Sequence, residues 1–319
     1  MKNIFSEDAP DAQGVLNQII LEHLKEQKRK RWVRWIYRIG FLLVLLVLVY
    51  RFQVTTDDEI ALRNKAHVGL IDIEGGIFDM EAANADYFMR GLDSAYKSKG
   101  LKAMIFRINS PGGSPVQADY MYNAIKDYRQ KYPQIKTYAV CVDICASAAY
   151  YIASAADDIY ANPASLVGSI GVLYNGFGFV DGMKKIGVSR RLQTAGIHKG
   201  MLDPFSPETP EDKAYLQSVL DTVHQQFIQK VKEGRGDRLV QNSTIFTGIF
   251  WSGQQALPLG LIDGFASAGQ LVKQTIKVNQ VIDYTYKQSV MERLSKGLTT
   301  YFENPLSNRW LGRNFDLSL

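Results

Sequence analysis

The chain has 319 residues, 46% of them apolar, and a formal net charge of +5 at pH 7. This length and apolar fraction are enough for one large domain with a full core behind an N-terminal appendage. The basic excess is concentrated in KRKRWVR, residues 28–34, beside a hydrophobic run. Because the remainder is close to neutral, we expect no nucleic acid partner.

A membrane anchor at residues 32–54 is the first predicted element. Its centre is the uncharged run IGFLLVLLVLVY, bounded by Arg38 and Arg51. The run is shorter than the roughly 20 apolar residues of a spanning helix. Apolar and aromatic residues extend it on both sides, however, and Trp32 and Trp35 would lie at the membrane interface. A buried core helix is the alternative, and a cleaved signal peptide is disfavoured because no small-x-small site follows the run.

The charges around this run predict its orientation. The basic residues precede it, so the positive-inside rule places residues 1–31 in the cytoplasm as a solvated or membrane-surface tail. The body, residues 55–281, would then lie in the periplasm or outside the cell. We therefore expect a single-pass protein of the cytoplasmic membrane.

The body has the pattern of an α/β fold. Short apolar or β-branched runs alternate with segments whose apolar residues recur at helical spacing. Strands are predicted at residues 66–75, 101–109, 135–143 and 158–161, and helices at 84–98 and 116–132. A long helix should begin after Thr209, an N-cap followed by Pro210. Residues 282–319 are predicted to form a C-terminal extension, which could be helical.

Two cysteines lie at the end of one apolar run. The spacing of Cys141 and Cys145 is neither CxxC nor that of a metal site, and no His or Cys residues cluster around them. Buried free thiols are favoured over a disulfide. We expect no metal and no cofactor.

Two strand-turn-helix junctions carry the candidate chemistry. Gly112 and Gly113 follow one predicted strand, and Ser147 follows another at a helix N-terminus, where free amides favour developing negative charge. The two turns could supply one oxyanion hole, with the N–H groups of Gly113 and Ala148 as donors. Taken singly, the glycines could form an ordinary tight turn and Ser147 could be a helix N-cap.

Lys199 is the candidate base for Ser147. The sequence has four histidines (His23, His67, His198 and His224), and none makes a convincing member of a Ser-His-Asp triad. A free lysine has a pKa near 10.4, so about one in 2,500 is neutral at pH 7, and burial would raise that fraction. A neutral amine could take the serine proton and return it to the leaving amine. An ordinary surface lysine, or His198 as the base, are the alternatives.

Five ordered motifs closely resemble the signal peptide peptidase A family of Ser-Lys proteases. They are INSPGGS, ASAAYYIASAAD, NPASLVGSIGV, GIHKGMLDPF and FWSGQQALPLGLID, within about residues 66–268. One departure is that the family commonly has Ser-Gly-Gly where this chain has Ser147, Ala148 and Ala149. The added methyl groups restrict the backbone beside the nucleophile.

The resemblance implies a complete set of roles. Ser147 would be the nucleophile, Lys199 the general base and Ser169 the hydroxyl that orients the lysine. The fold would consist of the repeated ββα units of Clp protease and crotonase. The resemblance also implies a membrane-anchored, ring-like homo-oligomer whose active sites are shared between subunits and receive cleaved signal peptides and other hydrophobic chains. An acyl-CoA hydratase or isomerase, and a catalytically inactive assembly that binds peptides or membrane proteins, are the alternative functions.

Overall fold

The computed structural model describes residues 12–288, with the side chains of residues 17, 20–47, 50 and 61–288. The chain divides into two compact units, Met1–Leu62 and Arg63–Leu319. A 53-residue helix, α1, extends over Ala12–Asn64. Across the residues described, no helix is both long and apolar enough to count as a membrane span. The predicted anchor at residues 32–54 falls within α1 and stays a prediction.

The second unit is built on one sheet. Within residues 63–288 the eight strands are β1 His67–Glu74, β2 Leu101–Ser110, β3 Lys136–Ala146, β4 Asp158–Ala161, β5 Leu166–Gly168, β6 Phe250–Ser252, β7 Gly264–Phe265 and β8 Val281–Asp283. Their order is β6-β5-β3-β2-β1-β8, and β4 pairs with both β3 and β7. All pairs are parallel except β5 with β6. The predicted mixed α/β fold is confirmed, while its relation to Clp protease and crotonase stays a prediction.

Helices and short helical turns connect these strands. They are α2 Ala85–Tyr96, α3 Pro115–Lys131, α4 Ala148–Ala153, α5 Val180–Lys185, α6 Pro210–Arg235, α7 Gly253–Ala256 and α8 Ala268–Gln270, with a π-helical turn at Leu271–Ile276 and 3-10 turns at Gly236–Arg238 and Ser243–Phe246. The hydroxyl of Thr209 accepts a hydrogen bond from the amide of Asp212 at the start of α6. The predicted N-cap of this helix is confirmed.

The sheet buries side chains on both faces. On β2, Met104, Phe106 and Ile108 belong to a large core with α2, α3, α4 and α6. The alternate residues Ala103 and Ile105 pack on the other face in a smaller core. This alternation follows from the two-residue period of a strand. Because its side chains are buried on both faces, β2 is an apolar run along most of its length.

The sheet continues past the predicted domain boundary at residue 281. Val68, Gly69 and Leu70 of β1 pair with β8, so the predicted C-terminal extension begins inside a strand. Beyond it Tyr284 is buried, and its hydroxyl lies 2.9 Å from Nε2 of His67. The predicted extension from residue 289 onward lies outside the described residues.

Candidate active site

Ser147 occupies a strained turn between β3 and α4. Its backbone has φ 55° and ψ −125°, in the left-handed half of conformational space that residues with a Cβ atom rarely adopt. The amide of Ser147 donates to the carbonyl of Gly168 at 2.8 Å, and its carbonyl accepts from Tyr151 at 3.0 Å. The side chain makes no capping hydrogen bond, so the hydroxyl does not serve as the N-cap of α4.

The glycine turn after β2 lies directly against Ser147. A Cβ atom on Gly112 would lie 2.7 Å from Cβ of Ser147 and 3.1 Å from the nitrogen of Ala148. A Cβ atom on Gly113 would lie 2.2 Å from the carbonyl oxygen of Ile77. The two strand-turn-helix junctions therefore meet, and their close contact requires glycine.

The amides proposed for the oxyanion hole are free for such a role. Ala148 is the first residue of α4, where an N–H group has no acceptor within the helix. Gly113 forms a parallel bridge with Ile77, in which Ile77 donates to Gly112 and accepts from Ser114. In a parallel bridge of this type the N–H group of Gly113 faces away from Ile77.

Both turns line a cavity of about 790 Å³. It is lined by Phe78, Pro111, Gly113, Pro115, Ser147, Ala148, Tyr151, Ser169, Gly171, Val172, Leu173, Val223, His224, Phe227, Thr247 and Gly248. Ser169 follows β5 with φ 52°, and its amide donates to the carbonyl of Ile249 at 3.0 Å. Four of the five predicted site residues, all except Lys199, therefore line one cavity.

Lys199 lies outside the lining of this cavity. It is exposed in the connection between β5 and α6, and its amide donates to the carbonyl of Gly196 at 3.2 Å. Among the described residues no hydrogen bond joins Lys199 to Ser147. Within one chain, the structure does not bring the predicted base to the predicted nucleophile.

His198 contacts an acid of α6. Its Nδ1 atom lies 2.9 Å from Oδ1 of Asp212, and this hydrogen bond, followed by that from Thr209, holds the pKa of Asp212 below its usual range. His198 is exposed and does not line the cavity of Ser147. The pair links the segment that carries Lys199 to the first turn of α6.

His224 lines the cavity, although the sequence did not predict it as a site residue. It lies on α6, and its Nε2 atom is 3.1 Å from the carbonyl oxygen of Ile170. A sequence signal was present, because His224 precedes Phe227 by three residues and Val231 by seven, which is one face of a helix. Phe227 and Val231 are both buried.

No metal site accompanies these residues in the part of the chain that the structure describes. Cys141 and Cys145 are free and buried. Burial, with a smaller contribution from Cys141, raises the pKa of the Cys145 thiol well above its usual value. A thiol in that state is a poor nucleophile and a poor metal ligand.

Comparison with known proteins assigns the family. Residues 129–281 match the model of peptidase family S49. A Brucella abortus protein named Na(+)/H(+) antiporter NhaA is 44% identical over 184 residues, which are 58% of this chain and 25% of that protein. The chain therefore spans about a quarter of that relative.

Two further relatives match over more of their length. A Methanocaldococcus jannaschii protein named as a protease is 30% identical over 229 residues, which cover 71% of this chain and 72% of that protein. An Enterococcus faecium protein named as a signal peptide peptidase SppA is 26% identical over 239 residues, covering 75% of this chain and 66% of that protein. These matches confirm the predicted resemblance. The chain belongs to peptidase family S49, a family of serine-type peptidases.

Proposed function

We propose that the protein is a serine endopeptidase that cleaves hydrophobic peptides through an acyl-enzyme on Ser147. The observation that carries this proposal is the position of Ser147, on a strained turn in a cavity beside the amides of Gly113 and Ala148. A positive φ costs about 1–3 kcal/mol and persists only where the surrounding structure maintains it. Strain of this kind is concentrated at functional sites.

The chemistry follows from this position. The Ser147 oxygen attacks the peptide carbonyl, and the amides of Gly113 and Ala148 stabilise the negative charge that forms on the carbonyl oxygen. Their fixed backbone positions mean that no reorganisation is needed as that charge develops. Removing one such donor typically lowers kcat by about 100- to 1,000-fold in enzymes that use it.

Lys199 of a neighbouring subunit is proposed as the general base, with Ser169 as its hydrogen-bond partner. The exposed position of Lys199 favours a contribution between subunits over one within a single chain. Its segment also exposes large apolar side chains, with exposed fractions of 79% at Leu173, 76% at Phe177, 75% at Ile186 and 92% at Ile197. A ring-like homo-oligomer would bury such surface and could seat the amine beside Ser147.

The substrates are proposed to be hydrophobic peptides, including cleaved signal peptides. The cavity wall is largely apolar, with Phe78, Val172, Leu173, Val223 and Phe227 among its side chains. An apolar wall of this kind favours apolar substrate side chains through burial. The name of the Enterococcus faecium relative agrees with this substrate class.

We further propose that residues 32–54 anchor the protein in the cytoplasmic membrane, with the catalytic unit outside the cytoplasm. The basic residues before the hydrophobic run and its aromatic flanks support this orientation. The alternating strands and helices fit the proposed relation to Clp protease and crotonase. No cofactor is part of the proposal.

The test is fluorophosphonate labelling together with turnover of apolar peptides by the detergent-extracted protein. We expect Ser147→Ala to abolish both signals and Lys199→Ala to abolish turnover. Lys102→Ala, at an exposed lysine of β2, is the matched control and should behave as wild type. A wild type that neither labels nor cleaves over a pH series would instead support an inactive peptide-binding assembly, whereas turnover of a CoA thioester would support a hydratase or isomerase.

A further inference from the structure

His224 lies in the wall of the cavity that contains Ser147, and its imidazole hydrogen-bonds the backbone rather than the nucleophile. It is partly buried on α6, beside the cavity residues Val223 and Phe227. Its hydrogen bond is directed to the backbone carbonyl of Ile170. Ile170 lies between Ser169 and Gly171, which both line the cavity.

The direction of this hydrogen bond follows from its acceptor. A carbonyl oxygen only accepts, so Nε2 of His224 carries the hydrogen and donates over 3.1 Å. The Ile170 side chain is fully buried. The imidazole therefore donates a hydrogen bond to the backbone carbonyl of a residue whose side chain is packed in the core.

Three consecutive residues of this segment are held by different elements. Gly168 accepts from the amide of Ser147 at 2.8 Å, Ser169 donates to the carbonyl of Ile249 at 3.0 Å, and Ile170 accepts from His224. Ser169 has φ 52°, so its backbone is strained. Because such strain persists only where surrounding contacts over-determine it, each of the three hydrogen bonds matters for the position of Ser169.

We propose that His224 is a positioning residue for the reaction of Ser147. Its hydrogen bond holds the Ser169 turn in the strained conformation that presents the Ser169 hydroxyl to the cavity. The inference rests on the proposed function, because it assigns His224 to the same Ser147 site.

The expected effect falls on kcat. Without the hydrogen bond the Ser169 turn can relax, and the base Lys199 then loses the Ser169 hydroxyl as its partner. Val223 and Phe227 still form the apolar wall that binds substrate. One hydrogen bond of ordinary strength corresponds to a change of about tenfold in rate. We expect His224→Leu to lower kcat by about tenfold and to change KM by less than about twofold.

His224→Gln provides the rescue, because its amide can donate to the Ile170 carbonyl, whereas the leucine side chain cannot. We expect it to recover most of the lost kcat. Gln226→Leu, a polar-to-apolar change at an exposed position of the same helix, is the matched control and should keep the wild-type kcat. All variants are made in the full chain, and peptide turnover and thermal melting are measured for each.

A second readout does not depend on turnover. Amide hydrogen exchange of residues 168–171, followed by mass spectrometry, should be faster in His224→Leu and close to wild type in His224→Gln. An inactive wild type that still shows this pattern would defeat the proposed function and leave the Ile170 contact supported. Wild-type kcat in His224→Leu, equal loss in His224→Gln and His224→Leu, or unchanged exchange would each overturn the inference.

Discussion

Ser147 has a strained backbone conformation and lines the cavity, where it is partly buried. The helix that follows is buried throughout, with Ala149 fully inside the core and Ala148 at the cavity wall. Ala148 and Ala149, the two alanines after Ser147, therefore differ in their surroundings. Both belong to the large core, and Ala148 also lines the cavity that contains Ser147.

Gly112→Ala should impair the site directly. The new Cβ atom would lie 2.7 Å from Cβ of Ser147 and 3.0 Å from the carbonyl of Ala146, and the position has φ 110°. Strain of about 1–3 kcal/mol placed on this turn corresponds to a loss in kcat/KM of about fivefold to 150-fold. Peptide turnover measures the loss. Gly269→Ala, where nothing lies within 4 Å of the new atom, is the control, and equal turnover in the two variants would contradict the prediction.

The site residues differ in how far sequence could predict them. Ser147, Gly112 and Gly113 could be proposed together because each follows a predicted strand, and parallel strands bring their carboxyl ends to one edge of a sheet. His224 could not be assigned in this way. Its partner Ile170 is 54 residues away in the chain, and only the packing of α6 brings the two together.

At the scale of elements, α6 is fixed at both ends by different interactions. Thr209 caps its start, as its sequence predicts. At its end the Arg235 side chain is 0% exposed and donates to both carboxylate oxygens of Asp263, at 2.7 and 2.9 Å. The amide of Ile159 in β4 donates to the same carboxylate. The pair therefore ties α6 to the sheet.

Asp263→Asn should destabilise the folded protein strongly. The change leaves the buried guanidinium of Arg235 without a compensating charge, which typically costs about 3–5 kcal/mol in the free energy of unfolding. Urea unfolding measures this loss. Asp181→Asn removes an exposed carboxylate of α5 and should leave the unfolding midpoint unchanged. A midpoint in Asp263→Asn equal to wild type would show that the pair contributes nothing.

The partly buried carboxylates of Asp263 and Asp157 predict that the folded protein loses stability in acid. Burial acts to raise the pKa of Asp263, but hydrogen bonds from Arg235 and Ile159 outweigh it and hold the pKa below its ordinary value of 3.8. For Asp157, burial is likewise outweighed, by hydrogen bonds from Thr137 and the charge of Arg129. A lowered pKa in the folded state gives stability that is present above the ordinary pKa and is lost as the pH falls through the folded-state value.

Unfolding free energies between pH 7 and pH 3 check this expectation. We expect little change for these groups above about pH 5 and a progressive loss below about pH 4. The slope should be shallower in Asp263→Asn, which lacks one of the two titrating carboxylates. Parallel curves for wild type and variant would contradict a role for Asp263 in the acid transition.

Strands and helices follow the local sequence pattern where that pattern is long enough. The strands at β1 to β4 coincide closely with apolar runs, and α2 and α3 with helical periodicity. The strands β5 to β8 contain two or three residues each and were not predicted as strands. Segments this short contain too few residues to establish a period, so their pairing depends on tertiary contacts.

At the scale of the whole molecule, the connection between β5 and α6 contains the proposed base and an exposed apolar surface. It carries Lys199 and exposes Phe177, Ile186 and Ile197 to solvent. Apolar exposure of this extent is typical of surface that a partner covers. A second copy of the chain is the partner that the proposed shared site requires.

Complementation tests this arrangement. Co-expression of Ser147→Ala with Lys199→Ala should restore activity, because some sites then combine an intact serine from one subunit with an intact lysine from its neighbour. Random assortment in a ring predicts about a quarter of the wild-type sites. Peptide turnover by the purified mixture measures the recovered activity, and each variant expressed alone is the control. No recovery, from a mixture of wild-type oligomeric size, would contradict a shared site.

By itself the sequence determined the α/β alternation, the two strand-turn-helix junctions and the family, because each depends on residues close together in the chain. The tertiary structure decided which residues share a cavity with Ser147, that His224 contacts the carbonyl of Ile170, and that β8 pairs with β1. It also decided that Lys199 lies outside that cavity within one chain. These features depend on contacts between distant segments, which local patterns do not encode.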